Sequence, residues 1–518
     1  MRIGRIIAAS VGTALVLTGC ADREAGFGEE GAVSTVTQAT TTAAASITSI
    51  LAGPLPQEST AGSPSATAPS TSPSVAASSS APTDPITLPS PNTRDTLTVW
   101  LLPDVPDDVV SLVNKRFKKT YPKVTVTVVR QDWATVGSQI AEKAPLQAVT
   151  PDVLEIANDE TAPYVGEGLL ADLESARTEL RVGEWTPGLV HSTEVDGTLS
   201  AVPAYGYGRV IAYDKAAWKA AGVTDTPTSL AEFEAALERV QSGGVQPDYS
   251  AFWFPGRYWL GSLPWIWSEG GELAIEQDNT WTGAVDSGES QAGLTQLQNI
   301  ARKFSRAPAD GDEVSASQVK AFDEGRASSA LMAPWEINSL TRQADFFALP
   351  GKEPGSVAPQ YLSGSNLAVS AASQKQGLAV AWMQRFLDDK VQRQLATSTG
   401  WIPALESAVA ALKGDPLRAA QAQLARNGRF TPQVPQWAVV EQQQVLPDML
   451  QTILAPPPGE SPSASAPPTD SGASPLPTSP SDPASSTGVP TPVDPSQVPS
   501  LPTSSEFPVP TELATPTN

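Results

Sequence analysis

An α/β fold of two lobes is predicted for the central part of this chain on three observations. Strand-like and helix-like segments alternate from Thr96 onward at the spacing of βαβ units. All 13 tryptophans fall between Trp100 and Trp437 and all eight tyrosines between Tyr121 and Tyr361, which marks the region able to bury a core. That region, residues 95–455, holds 361 residues, more than one hydrophobic core organises, so two lobes are expected.

The elements follow in order. Thr96 to Leu102 alternates apolar residues like a strand, and Val109 to Tyr121 places apolar residues at 109, 110, 113 and 117, the helical spacing. Val124 to Val129 is β-branched and reads as a strand, Val136 to Ala144 as a helix, and Pro151 to Ala157 as a third strand. This alternation predicts a largely parallel sheet, whose ligand-facing loops lie at the carboxyl ends of its strands. Ala157-Asn158-Asp159-Glu160 stands at such an end. Ala201 to Tyr213 reads as a further extended stretch, followed by a helix from Lys215 to Ala221. Ser229 is placed to cap a helix over Leu230 to Val240. Residues 250–281 are dense in tryptophan, and the pattern is mostly helical from Gly288 to about Gly325. Short strands are expected at Ser329 to Met332 and Asn366 to Ser370, and one amphipathic helix at Gln376 to Leu395.

The flanks differ in kind. Arg2 and Arg5 precede an apolar run, Ile6 to Leu17, and Leu17-Thr18-Gly19-Cys20 closes it with the single cysteine of the chain. This arrangement resembles the lipobox of bacterial lipoproteins, which implies a signal peptide over residues 1–19 and acylation of Cys20. The run is short for a bilayer span, and two acyl chains suffice for stable anchoring. Residues 20–94 read as the lipidated cysteine followed by a disordered Ser/Thr/Ala/Pro-rich tether, and residues 456–518 as a disordered Pro/Ser/Thr-rich tail. The tail carries six acidic and no basic residues, and its composition suits either O-glycosylation or an inert solubilising role.

Composition narrows the function. With Cys20 acylated no thiol remains for a disulfide or a cysteine metal site, and His191 is the only histidine. No metal site, catalytic triad or phosphate loop is expected, and no cofactor. The formal net charge is −22, of which roughly −14 falls on residues 95–455, so nucleic acid is not an expected partner.

Five stretches carry a family resemblance. They are Asp152 to Leu173, Val202 to Lys215, Phe322 to Trp335, Gly364 to Ser370 and Gly428 to Gln436. Taken in order they resemble the family 1 extracellular solute-binding proteins of ABC transporters. The resemblance implies a type II periplasmic-binding-protein-like fold with a ligand cleft between the lobes. It further implies capture of a carbohydrate, an oligosaccharide first of all, and delivery to the transmembrane subunits of an importer without chemistry. The protein would then be a monomer, lipid-anchored on the cell membrane and facing the extracellular or periplasmic side. An alternative is a cell-envelope sensor or interaction lipoprotein that reuses the fold without transport. A glycosidase-like pair among Asp159, Glu160 and Glu336 is disfavoured, because nothing in the sequence fixes a carboxylate separation.

Sugars present apolar faces edged with hydroxyls, so aromatic rings and carboxylates are the residue types to look for. By the resemblance, Asp159 accepts sugar hydroxyls and Trp335 stacks on a sugar ring, while Tyr207 stands where the maltodextrin-type members have a glutamate. Glu160, Tyr205, Trp259, Trp267, Ser365, Asn366 and Trp401 complete the expected binding set. Ile156 and Glu441 stand where the maltodextrin type has stacking tryptophans, so a different solute is expected.

Overall fold

The computed structural model describes residues 29–53, 85–133, 135–143, 151–244, 246–312 and 317–456. Residues 1–28, with Cys20, and the tail from 457 onward lie outside the described residues, as do the signal-peptide, acylation and tail expectations attached to them. All described residues belong to one compact unit of the chain.

A six-stranded sheet forms the first body. Its strand order is Ile402–Pro403, Val202–Tyr207, Ser363–Val369, Val153–Ala157, Asp95–Leu101, Val124–Arg130. Side chains alternate across it as strand geometry requires. Leu97, Val99 and Leu101 enter one core with Val153, Leu367 and Val369, while Trp100, Leu154 and Ala368 enter a smaller one on the opposite face. Helices Asp107–Thr120, Gln376–Phe386 and Asp389–Thr399 cover the first face through residues such as Val113, Phe117, Trp382 and Leu395. Helices Val136–Lys143 and Thr161–Gly166 contribute Val136, Ile140 and Tyr164 to the second.

Two expectations are corrected here. Within this sheet only the pairings among the first three strands are parallel; Ser363–Val369 runs antiparallel to both of its neighbours. This strand enters from the second body, not from a βαβ crossover, so its direction is set by where the chain returns. The single helix expected over Gln376 to Leu395 is two, because the Asp388 side chain accepts the Lys390 amide and starts a new helix.

The second body surrounds a three-stranded antiparallel sheet, Ser329–Met332, Val210–Tyr213 and Asp345–Phe347. The stretch 201–213 is thus two strands in two sheets. Gly208 and Arg209 make the crossing, and the Gln421 side chain clamps it by accepting the Gly208 N–H at 3.0 Å and donating to its carbonyl at 2.8 Å. Helices Leu230–Gly243, Trp259–Ser268, Gly288–Phe304 and Val445–Leu454 pack around the sheet with Trp218, Phe233, Phe252 and Trp265 between them.

The largest departure lies near the N-terminus. Part of the expected tether is a 23-residue helix, Glu29–Leu51, docked on the second body. Val36, Ala39, Ala43, Ala44, Ile47 and Leu51 are buried, at the three- and four-residue spacing of one helix face. The Thr48 hydroxyl accepts the Gly283 N–H at 2.9 Å. A side chain at Gly283 would bring its Cβ to 2.4 Å from the Ala44 carbonyl oxygen, so this glycine permits the close approach.

Candidate functional site

The site begins at the carboxyl end of Val153–Ala157. Glu155 is fully buried there, its carboxylate taking the Leu102 N–H at 2.9 Å and the Ser365 hydroxyl at 2.6 Å. Burial pushes its pKa up to about 7, against the pull of those two donors. Asn158 donates its side-chain amide to the Leu362 carbonyl at 2.9 Å, which ties the loop to the chain segment returning from the second body. Gly364 makes that return possible. Its φ is +149°, and a Cβ would stand 2.3 Å from the Tyr205 carbonyl oxygen.

Above this floor stands a polar and aromatic wall. Tyr361 donates its hydroxyl to Asp159 at 2.8 Å, and burial followed by the Asp159 charge holds the phenol well above its ordinary pKa. Asp159 therefore takes a bond from a phenol that stays protonated, which fixes its orientation. The cap position of Thr161–Gly166 is held by Glu160 without a side-chain bond. Burial, and after it the Asp159 charge, raise Glu160 to about 7. Glu441 is raised to about 8 by the same two causes, while it accepts the Trp437 indole N–H at 2.8 Å. Three carboxyl groups thus feel one another, and at neutral pH part of the cluster keeps its protons.

Beside them runs a chain of rings. Tyr205 stacks on Trp401 with centroids 4.5 Å apart, Trp401 lies 5.5 Å from Tyr207, and Tyr207 meets Trp335 edge-on at 5.8 Å. The Arg209 guanidinium lies between two of the aromatics, 5.8 Å from the Trp335 ring and 5.9 Å from the Tyr361 ring. Trp335 itself, at the start of helix Pro334–Ser339, is 44% exposed, an open face on an otherwise packed wall. The strand passing from one sheet to the other supplies Tyr205, Tyr207 and Arg209, so the rings sit where the two bodies join.

The structure therefore brings together Asp159, Glu160, Tyr205, Tyr207, Trp335 and Trp401 from the expected set. Others are placed differently. Ser365 and Asn366 are fully buried, the first bonded to Glu155 and the second donating its amide to Thr161 and Ser192. Their expected role as direct ligand contacts is corrected: a side chain enclosed and bonded inside the protein holds the floor in shape. Trp267 is buried beneath the Arg429 guanidinium, 4.9 Å above its ring, with Glu272 pairing the arginine. Trp259 is half-buried at the start of its helix, against the second core. Tyr205 is 1% exposed and supports Trp401 from below. Tyr361 was missed, since nothing local distinguishes it. Only its partner Asp159, 202 residues earlier, reveals its part.

Among the described residues no group of three or more His, Cys, Asp or Glu side chains is arranged to hold a metal ion, and no helix is long and apolar enough to cross a membrane. The arrangement offers flat apolar faces next to hydrogen-bonding edges, the surface that a pyranose ring presents in complement.

Comparison with known proteins gives the family and the fold. The model of the bacterial extracellular solute-binding protein family matches residues 113–422. The diacetylchitobiose binding protein DasA of Streptomyces coelicolor is 31% identical over 369 residues, 70% of this chain and 84% of that protein. The sugar-binding protein MalE of Xanthomonas citri shares the fold with a TM-score of 0.60 at 20% identity, over 69% of this chain and 97% of that one. A cyclo/maltodextrin-binding protein solved with maltotetraose does so with a TM-score of 0.58 at 18% identity, over 70% and 96%. The fold is the two-lobed one of these periplasmic binding proteins.

Proposed function

The chain belongs to the bacterial extracellular solute-binding protein family, and from that membership we propose that it is a lipid-anchored receptor delivering an oligosaccharide to an ABC importer. The observation that carries the proposal is the ring chain Tyr205–Trp401–Tyr207–Trp335 ending on an open indole beside the Asp159–Tyr361 pair. Trp335 and Tyr207 stack on sugar faces. Asp159 and the neighbouring carboxyls Glu160 and Glu441 accept hydroxyl or amide hydrogens at the edges. A partly protonated cluster also donates, so the site suits a neutral sugar better than an anion.

The solute class we favour is a short oligosaccharide of hexose or N-acetylhexosamine units. The diacetylchitobiose-binding relative supports the second, and Ile156 and Glu441, at places where maltodextrin-type members carry tryptophans, argue against a maltodextrin. Ligand capture closes the two bodies about the crossing at Gly208–Arg209, and the closed form is what an importer recognises. Cys20 supplies the membrane attachment.

Titration of the purified protein with N-acetylhexosamine and glucose oligomers, read by calorimetry and by tryptophan fluorescence, tests the reading. Saturable binding of one class that Trp335→Ala weakens is the expected result. Absence of binding by either class, with the protein folded, overturns the carbohydrate assignment.

A further inference from the structure

The helix Glu29–Leu51 stands between the proposed anchor and the whole of the first body. Eight residues, 21–28, separate Cys20 from its start, whereas residues 52–94 separate its end from the first strand of the six-stranded sheet. The helix is held by the second body: by the hairpin Ala274–Gln277 and Thr280–Gly283, by Gly288–Phe304, and by the C-terminal helices Trp437–Gln442 and Val445–Leu454. Polar bonds pin both halves, Thr37 to Gln291 at 2.8 Å and Gly283 to Thr48 at 2.9 Å.

The alternative occupant for such a face is the bilayer. Here the apolar face is already covered by protein, and the helix has no lysine or arginine to meet anionic headgroups. Its composition, mostly Ala, Thr and Ser, lets it lie close to its neighbours, as the backbone approach at Gly283 shows.

We infer that Glu29–Leu51 is a clamp that transfers the membrane attachment from the chain terminus to the second body. The inference rests on acylation of Cys20. The effective leash is then the eight residues 21–28, a length of chain that spans at most roughly 30 Å. Without the clamp, the 64 residues from 21 to 84 would set the distance, since Ile86 is already bonded to Ser175 on the first body, and a free chain of that length averages roughly 44 Å. The second body is kept near the bilayer, and the first body, reached only through the clamp and the crossings, is the one that swings when the cleft closes.

Energy transfer to the bilayer tests this in the full-length acylated protein. Cys20 is the sole cysteine, so Glu276→Cys, on the exposed strand beside the clamp, gives one free thiol for a donor dye. The protein is placed in phosphatidylcholine–phosphatidylglycerol vesicles carrying an acceptor lipid. Gly283→Val wedges the clamp off, and Ile47→Asp does so from the helix side without touching the body. The expected result is a fall in transfer of about twofold or more in both variants, as the leash lengthens. Equal transfer in the parent and both variants overturns the clamp. A chain recovered without bilayer attachment overturns the acylation reading. Hydrogen exchange over residues 29–51 tells the two failures apart, since a docked helix exchanges slowly and a free one does not.

Discussion

The floor and the wall of the site use the same residue types in opposite ways. Glu155 and Asn366 on the floor are enclosed, each bonded to named donors or acceptors. Asp159, Glu441 and Trp335 on the wall are partly open, and two of them lean on a neighbour, Tyr361 or Trp437. Glu155 and Asp159 stand four residues apart on one strand and its loop, yet one shapes the crossing and the other faces solvent. The difference teaches that a carboxylate's role here follows from whether its second oxygen is already committed.

That contrast can be broken by substitution, and the largest expected effect lies on the floor. Gly364→Ala should cost about 2–4 kcal/mol of stability, because the new Cβ meets the Tyr205 carbonyl in a backbone conformation that favours glycine. Thermal unfolding reads it, and a melting temperature within a degree of the parent's would show that the strands can separate freely. Asn366→Ala should cost about 1–3 kcal/mol, since it leaves the buried Thr161 hydroxyl and Ser192 carbonyl short of a donor. Its ligand affinity, measured on the folded fraction, should change little.

On the wall the effects invert. Trp335→Ala should weaken the sugar about tenfold, about 1.4 kcal/mol, while leaving the melting temperature of the unliganded protein near the parent's. Glu441→Gln has no effect in acid and one that grows with pH. The folded carboxyl, raised to about 8, keeps a proton that the unfolded one loses near 4.5, so the carboxyl's contribution falls as pH rises from 4.5 to 8. The variant should therefore match the parent at pH 4 and gain on it progressively to pH 8, by about 2–4 °C for each kcal/mol regained. A gap that stays flat across that range would remove Glu441 from the cluster.

Much of the first body was legible. The strands at Asp95–Leu101, Val124–Arg130 and Val153–Ala157 and the helix between the first two follow from apolar period alone. Asp159 follows its strand as read, and Trp335 opens a short helix after Ser329–Met332. What escaped was set by distant partners. Nothing near Ser363 says that its strand will run antiparallel, and Tyr361 matters only through Asp159. The Glu29–Leu51 helix carried a readable signal that composition obscured: no glycine or proline falls between Ala32 and Ala52, and Val36, Ile47 and Leu51 share one face. Counting large apolar residues hid it, because half of its buried apolar stripe is alanine.

The docking of this helix also dictates an order of assembly. The first described helix of the chain packs on the last, Val445–Leu454, and the first strand belongs to a sheet that closes only with Ile402–Pro403. Each body waits for late segments, the first for Ile402–Pro403 and the second for Val445–Leu454, so a nascent molecule stays unfinished until most of the chain has emerged. Such a chain suits passage across a membrane before folding, and a truncation before Ile402 leaves neither half finished.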